Sequence, residues 1–334
     1  MSNITVRALN NDEMNLWDSF VETSPQGNIF NKKFWLDAVC SNFEIYVAEE
    51  NGKIVGGIVV PNVKNRIYSM PKLTPQLGIL LGKENDNIKY NKLISRGVTI
   101  TSDLINILPK KPLQLEYNFS VNYTNMLPFI WNGYNVNLKY TYKINNTSDL
   151  KVVYDNFDYG IKSEIKKAMG KNIRVSEDYS IEDFYRVNNL TFERQNAVIP
   201  YSLEFIKKLD ETLKENNCRK MLFAVNELDE IVAGVYLIYD KDTTYYLMGG
   251  ADPDWRKFGV QSLLVWEAIK FSSEINTAFD FEGSMVPSIE NYFRKFGGTQ
   301  TPIYSINKAN KIYDAMYSFG RKHKNTIRKF LKSN

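Results

Sequence analysis

Two stretches of this 334-residue chain follow nearly the same plan. Val47-Ala48-Glu49-Glu50-Asn51-Gly52-Lys53-Ile54-Val55-Gly56-Gly57 runs parallel to Phe223-Ala224-Val225-Asn226-Glu227-Leu228-Asp229-Glu230-Ile231-Val232-Ala233-Gly234, with one extra residue in the second turn. Each reads as two apolar strands around a polar turn. Asn51-Gly52 suits a type I′ hairpin, whose two central residues both take positive φ. Each stretch also follows a pair of helical segments. A repeat of this size predicts two tandem units, each a mixed β-sheet flanked by helices, in an α/β (α+β) architecture. The length agrees, because a chain this long exceeds one ordinary core. The polar run Asn145-Asn146-Thr147-Ser148 marks a break. It gives a first unit at 1–147, a second at 148–308 and a basic C-terminal helix at 309–334.

The first unit opens with a strand around Val6. A helix follows, with Asp12 and Glu13 in its first turn and Met14, Trp17, Phe20 and Val21 at helical spacing. A second helix carries Phe34, Trp35, Ala38 and Val39. Beyond the hairpin, Pro71 to Leu81 reads as loop and strand, Asn85 to Leu108 as helix, and Pro112 to Asn118 and Tyr134 to Ile144 as strands.

The chemistry concentrates between Tyr245 and Gly298. The strand Tyr245 to Ala251 contains Gly249-Gly250, which removes side chains where a ligand or another backbone can approach. Arg256-Lys257-Phe258-Gly259 then opens a helix that places Val260, Leu263, Leu264, Ala268 and Phe271 on one face. A helix amino end beside two cations suits an anion, and a plain helix cap with two solvated cations is the competing assignment. The next strand, Ala278-Phe279-Asp280-Phe281-Glu282, alternates aromatic and acidic residues, so both carboxylates are expected on one face. In a strand covered by helices, such a pair needs a reason. Either Glu282 takes a proton from an attacking group, or it accepts backbone N–H bonds from the loop Gly283 to Val286 and shapes the site.

Histidine usage narrows the chemistry further. The only histidine is His323, in a lysine-rich tail, which argues against a histidine base and against histidine-rich metal sites, so no metal is expected. Cys40 and Cys218 have no CxxC partner, so neither a disulfide framework nor a thiolate metal site is indicated. The net charge of +4 is small, but cations cluster at Lys162 to Arg174 and at Arg321 to Lys332. The start lacks a basic segment followed by an apolar one, and no run approaches a membrane span, so a cytoplasmic location is expected.

These stretches resemble the tandem GNAT-fold acyltransferases of the FemAB type, a group of peptidoglycan interpeptide-bridge aminoacyltransferases and related bacterial N-acyltransferases. The resemblance rests on Ile161 to Ala168, Thr191 to Gln195, Arg256 to Trp266, and Phe279 to Met285 through Phe293 to Gly298. It is looser around Asn28 to Val39 and Pro71 to Gly78. It implies that Met248, Gly249 and the residues up to Ala251 offer a backbone N–H to an acyl carbonyl. It also implies that Arg256, Lys257, Phe258, Gly259, Val260 and Gln261 receive the pyrophosphate of acyl-CoA. The signature R-x-x-G-x-G ends here in glutamine. The pattern F-K-x-x-F of the peptidoglycan enzymes reads Tyr292-Phe293-Arg294-Lys295-Phe296, so Phe293 holds the lysine's place and Arg294 or Lys295 supplies charge beside it.

The resemblance further implies an acceptor site between the units, with Lys33, Trp35, Arg194 and Tyr201 as wall residues. Trp35 also lies on the apolar stripe of its helix, which makes a core position the competing assignment. The first unit is expected not to catalyse, because Lys83-Glu84-Asn85-Asp86 puts acids where phosphate would bind. The expected activity is N-acyl transfer from acyl-CoA or a similar donor to an amine on a cell-envelope precursor, such as an amino sugar or peptidoglycan peptide. Asp280, Glu282 and Arg294 are its candidate catalytic residues. An aminoacyl-tRNA-dependent bridge ligase and a non-catalytic double domain that binds glycan or peptide are the alternatives. Expected partners are a lipid- or nucleotide-linked glycan acceptor, tRNA on the lysines from Lys162 to Lys171, and a membrane surface met by the tail helix with Ile312, Met316, Phe319, Ile327 and Phe330.

Overall fold

The computed structural model describes residues 4–61 and 66–310; the expected tail helix lies outside the described residues. The chain divides into two compact units. One comprises residues 1–138 and 304–334, the other 139–303.

In the first unit the order is β1 (Thr5–Ala8), α1 (Met14–Thr23), α2 (Lys33–Val39), β2 (Phe43–Glu50), β3 (Lys53–Pro61), β4 (Ile67–Tyr68), β5 (Ile79–Leu81), α3 (Tyr90–Ile107), β6 (Gln114–Asn118) and α4 (Leu127–Trp131), and β7 (Asn135–Ile144) leads into the second unit. Strands β1-β2-β3-β5 form an antiparallel sheet. The second unit contains α5 (Leu150–Asp155), α6 (Tyr159–Met169), β8 (Arg174–Ser176), α7 (Ile181–Arg194), α8 (Leu203–Glu215), β9 (Arg219–Val225), β10 (Ile231–Tyr239), β11 (Thr243–Ala251), α9 (Pro253–Arg256), α10 (Val260–Glu274), β12 (Ala278–Asp280) and α11 (Pro287–Phe293). Strand β13 (Thr299–Ala309) returns to the first unit, where it pairs antiparallel with β6. The second unit's sheet has the order β7-β12-β11-β10-β9-β8, with β11 and β12 parallel and the other pairs antiparallel.

The repeated stretches are equivalent hairpins. Glu50 faces Lys53 across Asn51 and Gly52, whose φ values of 51° and 73° are those of a type I′ turn. The longer turn of the second copy is closed by the Asn226 side chain, which accepts from the amides of Leu228 and Glu230. Both hairpins carry a bulge at the same point, Val55 in β3 and Val232 in β10, so the match extends to backbone irregularity. The helices that cover them match as well. A Cβ on Gly57 would stand 2.5 Å from the Trp17 ring of α1, and one on Gly234 would stand 3.2 Å from the Phe184 ring of α7. In each unit an aromatic side chain lies on a strand position that lacks one.

Helix α10 departs from the single apolar face expected of it. Val260, Ser262, Leu263, Leu264, Val265, Ala268, Ile269 and Ser272 are all buried, while Phe271 is half-buried beside Tyr239. The helix packs on α6 as well as on the sheet, so more than one face is covered.

Trp17 is fully buried and donates its indole N–H to the Asn31 carbonyl at 2.7 Å, so it has no room to retreat. Gly57→Ala is therefore expected to destabilise the chain by about 1–3 kcal/mol in urea unfolding, the range of an overpacked core. An unchanged midpoint would show that Trp17 can yield.

Candidate active site

Strands β11 and β12 pair at Thr243–Ala278, Thr244–Phe279 and Tyr245–Asp280, and then part. Both chains turn for local reasons. On β11, Tyr236 of β10 faces Met248 while Leu237 faces Tyr246, so Leu247 is an extra, bulged residue. On the other side, Phe281 makes one more bond to β7, its amide to the Tyr142 carbonyl at 3.0 Å. Glu282 and Gly283 then both adopt left-handed conformations, with φ of 57° and 58°. Only glycine fits at 283, since a Cβ would stand 2.1 Å from the Tyr140 carbonyl oxygen. At Glu282 the conformation is strained, by about 1–2 kcal/mol for a residue with a side chain.

The expected strand through Glu282 therefore ends at Asp280. Alternation along a strand does not place Glu282; the left-handed turn does, and it still brings the two acids together. Asp280 is fully buried and faces Lys143 across the β7–β12 pair, with Lys143 Nζ 3.9 Å from its Oδ2. Its Oδ1 accepts from the Thr141 hydroxyl at 2.5 Å and from the Glu282 amide at 2.9 Å. Burial raises the Asp280 pKa, opposed by Lys143 and by these two donors. Glu282 has no such help. Solvent touches its stem, but both carboxylate oxygens are buried and neither finds a hydrogen-bond partner. Burial, and then the charge of Asp280, push its pKa well above the usual carboxylate value, and Lys143 offsets only part of this. The loop amides that were one expectation for Glu282 do not reach it; its own amide serves Asp280 instead. In this arrangement Asp280 is the acid whose charge is better supported, and Glu282 is the one of higher proton affinity.

The opening between β11 and β12 is lined by the chain itself. Gln261 Nε2 donates to the Tyr246 hydroxyl at 2.7 Å, and a Cβ on Gly249 would collide with both groups. The Phe293 ring packs against Tyr246 and Phe281, at centroid distances of 5.6 and 5.4 Å. At Gly250 it is backbone that approaches, since a Cβ there would stand 2.5 Å from the Val187 carbonyl. The strand end is held from α7 by buried Asn188, whose Nδ2 donates to the Gly249 carbonyl at 2.9 Å and whose Oδ1 accepts from the Tyr201 hydroxyl at 2.7 Å.

The Arg256–Gln261 turn, expected to receive a pyrophosphate, is shaped by contacts within the chain. Gly259, with φ of 79°, begins α10, and a Cβ there would lie 2.3 Å from the Glu164 carbonyl, so this glycine serves the contact with α6. The Glu164 carboxylate accepts from the Ser262 hydroxyl at 2.5 Å, in the first turn of α10. Gln261 turns inward to Tyr246. Cations gather around Phe258, from this turn and from the end of α6. Lys167, Lys171 and Lys257 stand 5.5, 5.2 and 5.2 Å from the centre of the Phe258 ring, and Lys167 Nζ also donates to the Lys257 carbonyl at 2.8 Å.

The remaining expected site residues are dispersed. Arg294 is exposed and held by Asn291, at 2.7 Å, and Glu290, at 3.8 Å, rather than by the carboxylate pair. Arg194 is exposed at the end of α7; desolvation and the neighbouring Arg256 lower its pKa. Tyr201 is buried behind β11, with its hydroxyl 3.0 Å from the Met248 sulfur. In the first unit, Lys33 pairs with Asp37, and Trp35 is fully buried with its indole N–H on Thr74 at 2.9 Å. Thr141, Lys143, Glu164, Asn188, Tyr246 and Leu247 were not anticipated. Thr141 and Lys143 sit two apart on one strand and so share a face, but nothing local reveals which strand they oppose. Among the described residues, no group of three or more histidine, cysteine, aspartate or glutamate side chains is arranged to hold a metal.

Residues 156–294 match the family model described as an acetyltransferase (GNAT) domain. No curated protein matches the sequence. Among solved structures, the crystal structure of FemX is similar with a TM-score of 0.62 at 12% identity, covering 90% of this chain and 96% of that one. A tandem GNAT protein from the clavulanic acid biosynthesis pathway gives 0.53 at 8% identity, covering 92% and 98%. A conserved protein of unknown function from Bacteroides thetaiotaomicron gives 0.52 at 11%, covering 92% and 100%. The chain thus has a tandem GNAT fold, and the stretch of its second unit from 156 to 294 is similar to the GNAT acetyltransferase domain.

The carboxylate pair makes stability depend on pH. A carboxyl whose folded pKa is raised leaves the fold intact below the ordinary carboxylate pKa and weakens it as pH rises toward the folded value. Glu282→Gln removes that penalty. Urea unfolding is expected to place variant and wild type close together at pH 4, with the variant gaining about 1.4 kcal/mol per pH unit inside this window. Parallel pH curves would mean that the Glu282 carboxylate is solvated.

Proposed function

We propose that the second unit catalyses N-acyl transfer to an amine of a cell-envelope precursor, with Glu282 as general base and an aminoacyl ester of tRNA as donor. The observation that carries the chemistry is the Glu282 carboxylate, buried, without a hydrogen-bond partner and raised in pKa beside Asp280. A base of raised pKa is better matched to an attacking amine than an exposed carboxylate. The amine nitrogen bonds to the carbonyl carbon, Glu282 as carboxylate accepts the amine proton, the ester C–O bond breaks, and the same proton passes from Glu282 to the departing oxygen, which leaves as a hydroxyl. The bulged Leu247 lies where β11 has left β12, and a backbone N–H at such a point suits the oxyanion formed in between.

Acyl-CoA is the usual donor of the GNAT fold, but Gln261 stands where the signature R-x-x-G-x-G has its last glycine and turns inward to Tyr246, which favours a different donor. The lysines around Phe258 favour a donor that spreads its phosphates along a surface, as RNA does. The sequence resemblance to FemAB-type enzymes and the likeness in fold to FemX favour a muramyl peptide amine as acceptor.

Mass spectrometry of reactions with UDP-linked muramyl pentapeptide and either charged tRNA or acetyl-CoA tests this. Aminoacyl transfer from tRNA is expected, with kcat falling by about 10²–10⁴ in Glu282→Gln. Its wild-type pH–rate profile should rise through a pKa above 4.5, the ordinary value for this side chain. The double variant Lys167→Glu/Lys257→Glu should raise the KM for tRNA about tenfold or more and flatten its salt dependence. Transfer from acetyl-CoA but not from tRNA would overturn the donor. Full activity in Glu282→Gln would overturn the base.

A further inference from the structure

The first unit contains a cavity of its own. The residue Leu77, just before β5, donates its amide to the Asn118 carbonyl at the end of β6, at 2.7 Å, while β5 itself pairs with β3 and β6 with β4 and β13. A cavity of about 570 Å³ lies between the end of β5, the amino half of α3 and the loop 122–125. That volume is within the range of small-molecule sites. Gln26, 8% exposed, spans the gap. Its Oε1 accepts from the Leu81 amide at 2.9 Å and its Nε2 donates to the Asn122 carbonyl at 3.4 Å, so one backbone group from each wall is satisfied by a single side chain. The walls are held apart by a buried polar bridge, which is a built feature rather than loose packing.

The chemistry of the lining selects a ligand class. Leu81, Ile88, Leu93 and Ile94 make the walls apolar. The charged lining residues are confined to the loop after β5, where Glu84 is paired with Arg96 at 2.5 Å and Lys83 and Asp86 are of opposite sign. The apolar interior therefore offers a charged headgroup of either sign no partner, and an uncharged one is favoured. The buried lining side chains Thr101 and Tyr123 share one hydrogen bond, with hydroxyl oxygens 2.9 Å apart. Two hydroxyls carry two protons, and this bond uses one. The other is available to an acceptor in the cavity.

We propose that this cavity binds an uncharged aliphatic chain bearing a carbonyl oxygen, the chemistry of a fatty amide or ester, with the carbonyl on the Thr101–Tyr123 hydroxyl pair. The proposal is independent of what the second unit transfers. Isothermal titration of the full chain with octanamide, octanoate and octylamine tests it. Octanamide is expected to bind saturably at one site, with octanoate and octylamine at least about tenfold weaker because the apolar walls offer their charges no partner. Thr101→Val should weaken octanamide about tenfold, the effect of one buried hydrogen bond. Gly97→Leu should abolish binding, since a Cβ at Gly97 meets only Leu81, at 3.5 Å, and a longer side chain fills the space. Leu93→Trp, at a 38% exposed position that tolerates bulk, should narrow the cavity and weaken binding, and urea unfolding of both variants checks their fold. No saturable octanamide binding, binding unchanged in folded Gly97→Leu or Leu93→Trp, or octylamine or octanoate binding as tightly as the amide would each overturn the proposal.

Discussion

Parallel strands β11 and β12 share three residue pairs and then part, and most of the second unit's site follows from that parting. A sheet that opens between two parallel strands leaves backbone groups without ladder partners in a region that helices cover. The chain answers with side chains. Asn188 takes the Gly249 carbonyl, Asp280 takes the Glu282 amide, and the Gln261–Tyr246 pair with Phe281 and Phe293 occupies the opening. In the first unit a single buried glutamine, Gln26, takes the Leu81 amide at the end of β5 and the Asn122 carbonyl of the loop after β6, at the edge of a cavity.

Two acids and one cation cannot all be charged in such a place without a large desolvation cost. Asp280 receives the Thr141 hydroxyl, the Glu282 amide and Lys143, all of which favour its ionised form, whereas Glu282 receives none of them. The asymmetry is set by backbone. The left-handed turn at Glu282 and Gly283 points the Glu282 amide back at Asp280 and leaves the Glu282 carboxylate without donors. A strained residue beside an unsatisfied buried acid lowers stability twice over, and arrangements of this kind concentrate at functional sites.

The parts of the fold that are local were legible in the sequence. Asn51-Gly52 dictates its own turn, and the repeated hairpins, with their helices, gave the tandem architecture that the structure has. Asp280 and Glu282 were legible as a pair of inward acids, although the strand pattern that suggested it stops at Asp280. What the sequence hid was long-range. The Thr141 hydroxyl that fixes Asp280 is 139 residues away, and Glu164, which occupies the start of α10, is 98 residues from Ser262. Neither distance leaves a periodic trace. Gly249 and Gly250 were legible as positions of close approach, but a sequence cannot say what approaches, and in both cases it is the chain itself.

The two sites differ for a physical reason. The proton affinity of Glu282 depends on keeping water from its carboxylate, because each water that reached it would stabilise the charged form and bring its pKa down toward that of an exposed acid. An open, water-accessible cavity in the same opening would therefore undo the chemistry that the buried pair provides. The first unit has no buried acid pair at its cavity; its acids lie in the exposed loop from Lys83 to Asp86, and Glu84 is neutralised by Arg96 at 2.5 Å. It can leave its cavity unfilled with no proton affinity to protect. The two units thus provide two incompatible environments in one chain, a buried acid pair of raised proton affinity and an open cavity of about 570 Å³ that has room for a ligand.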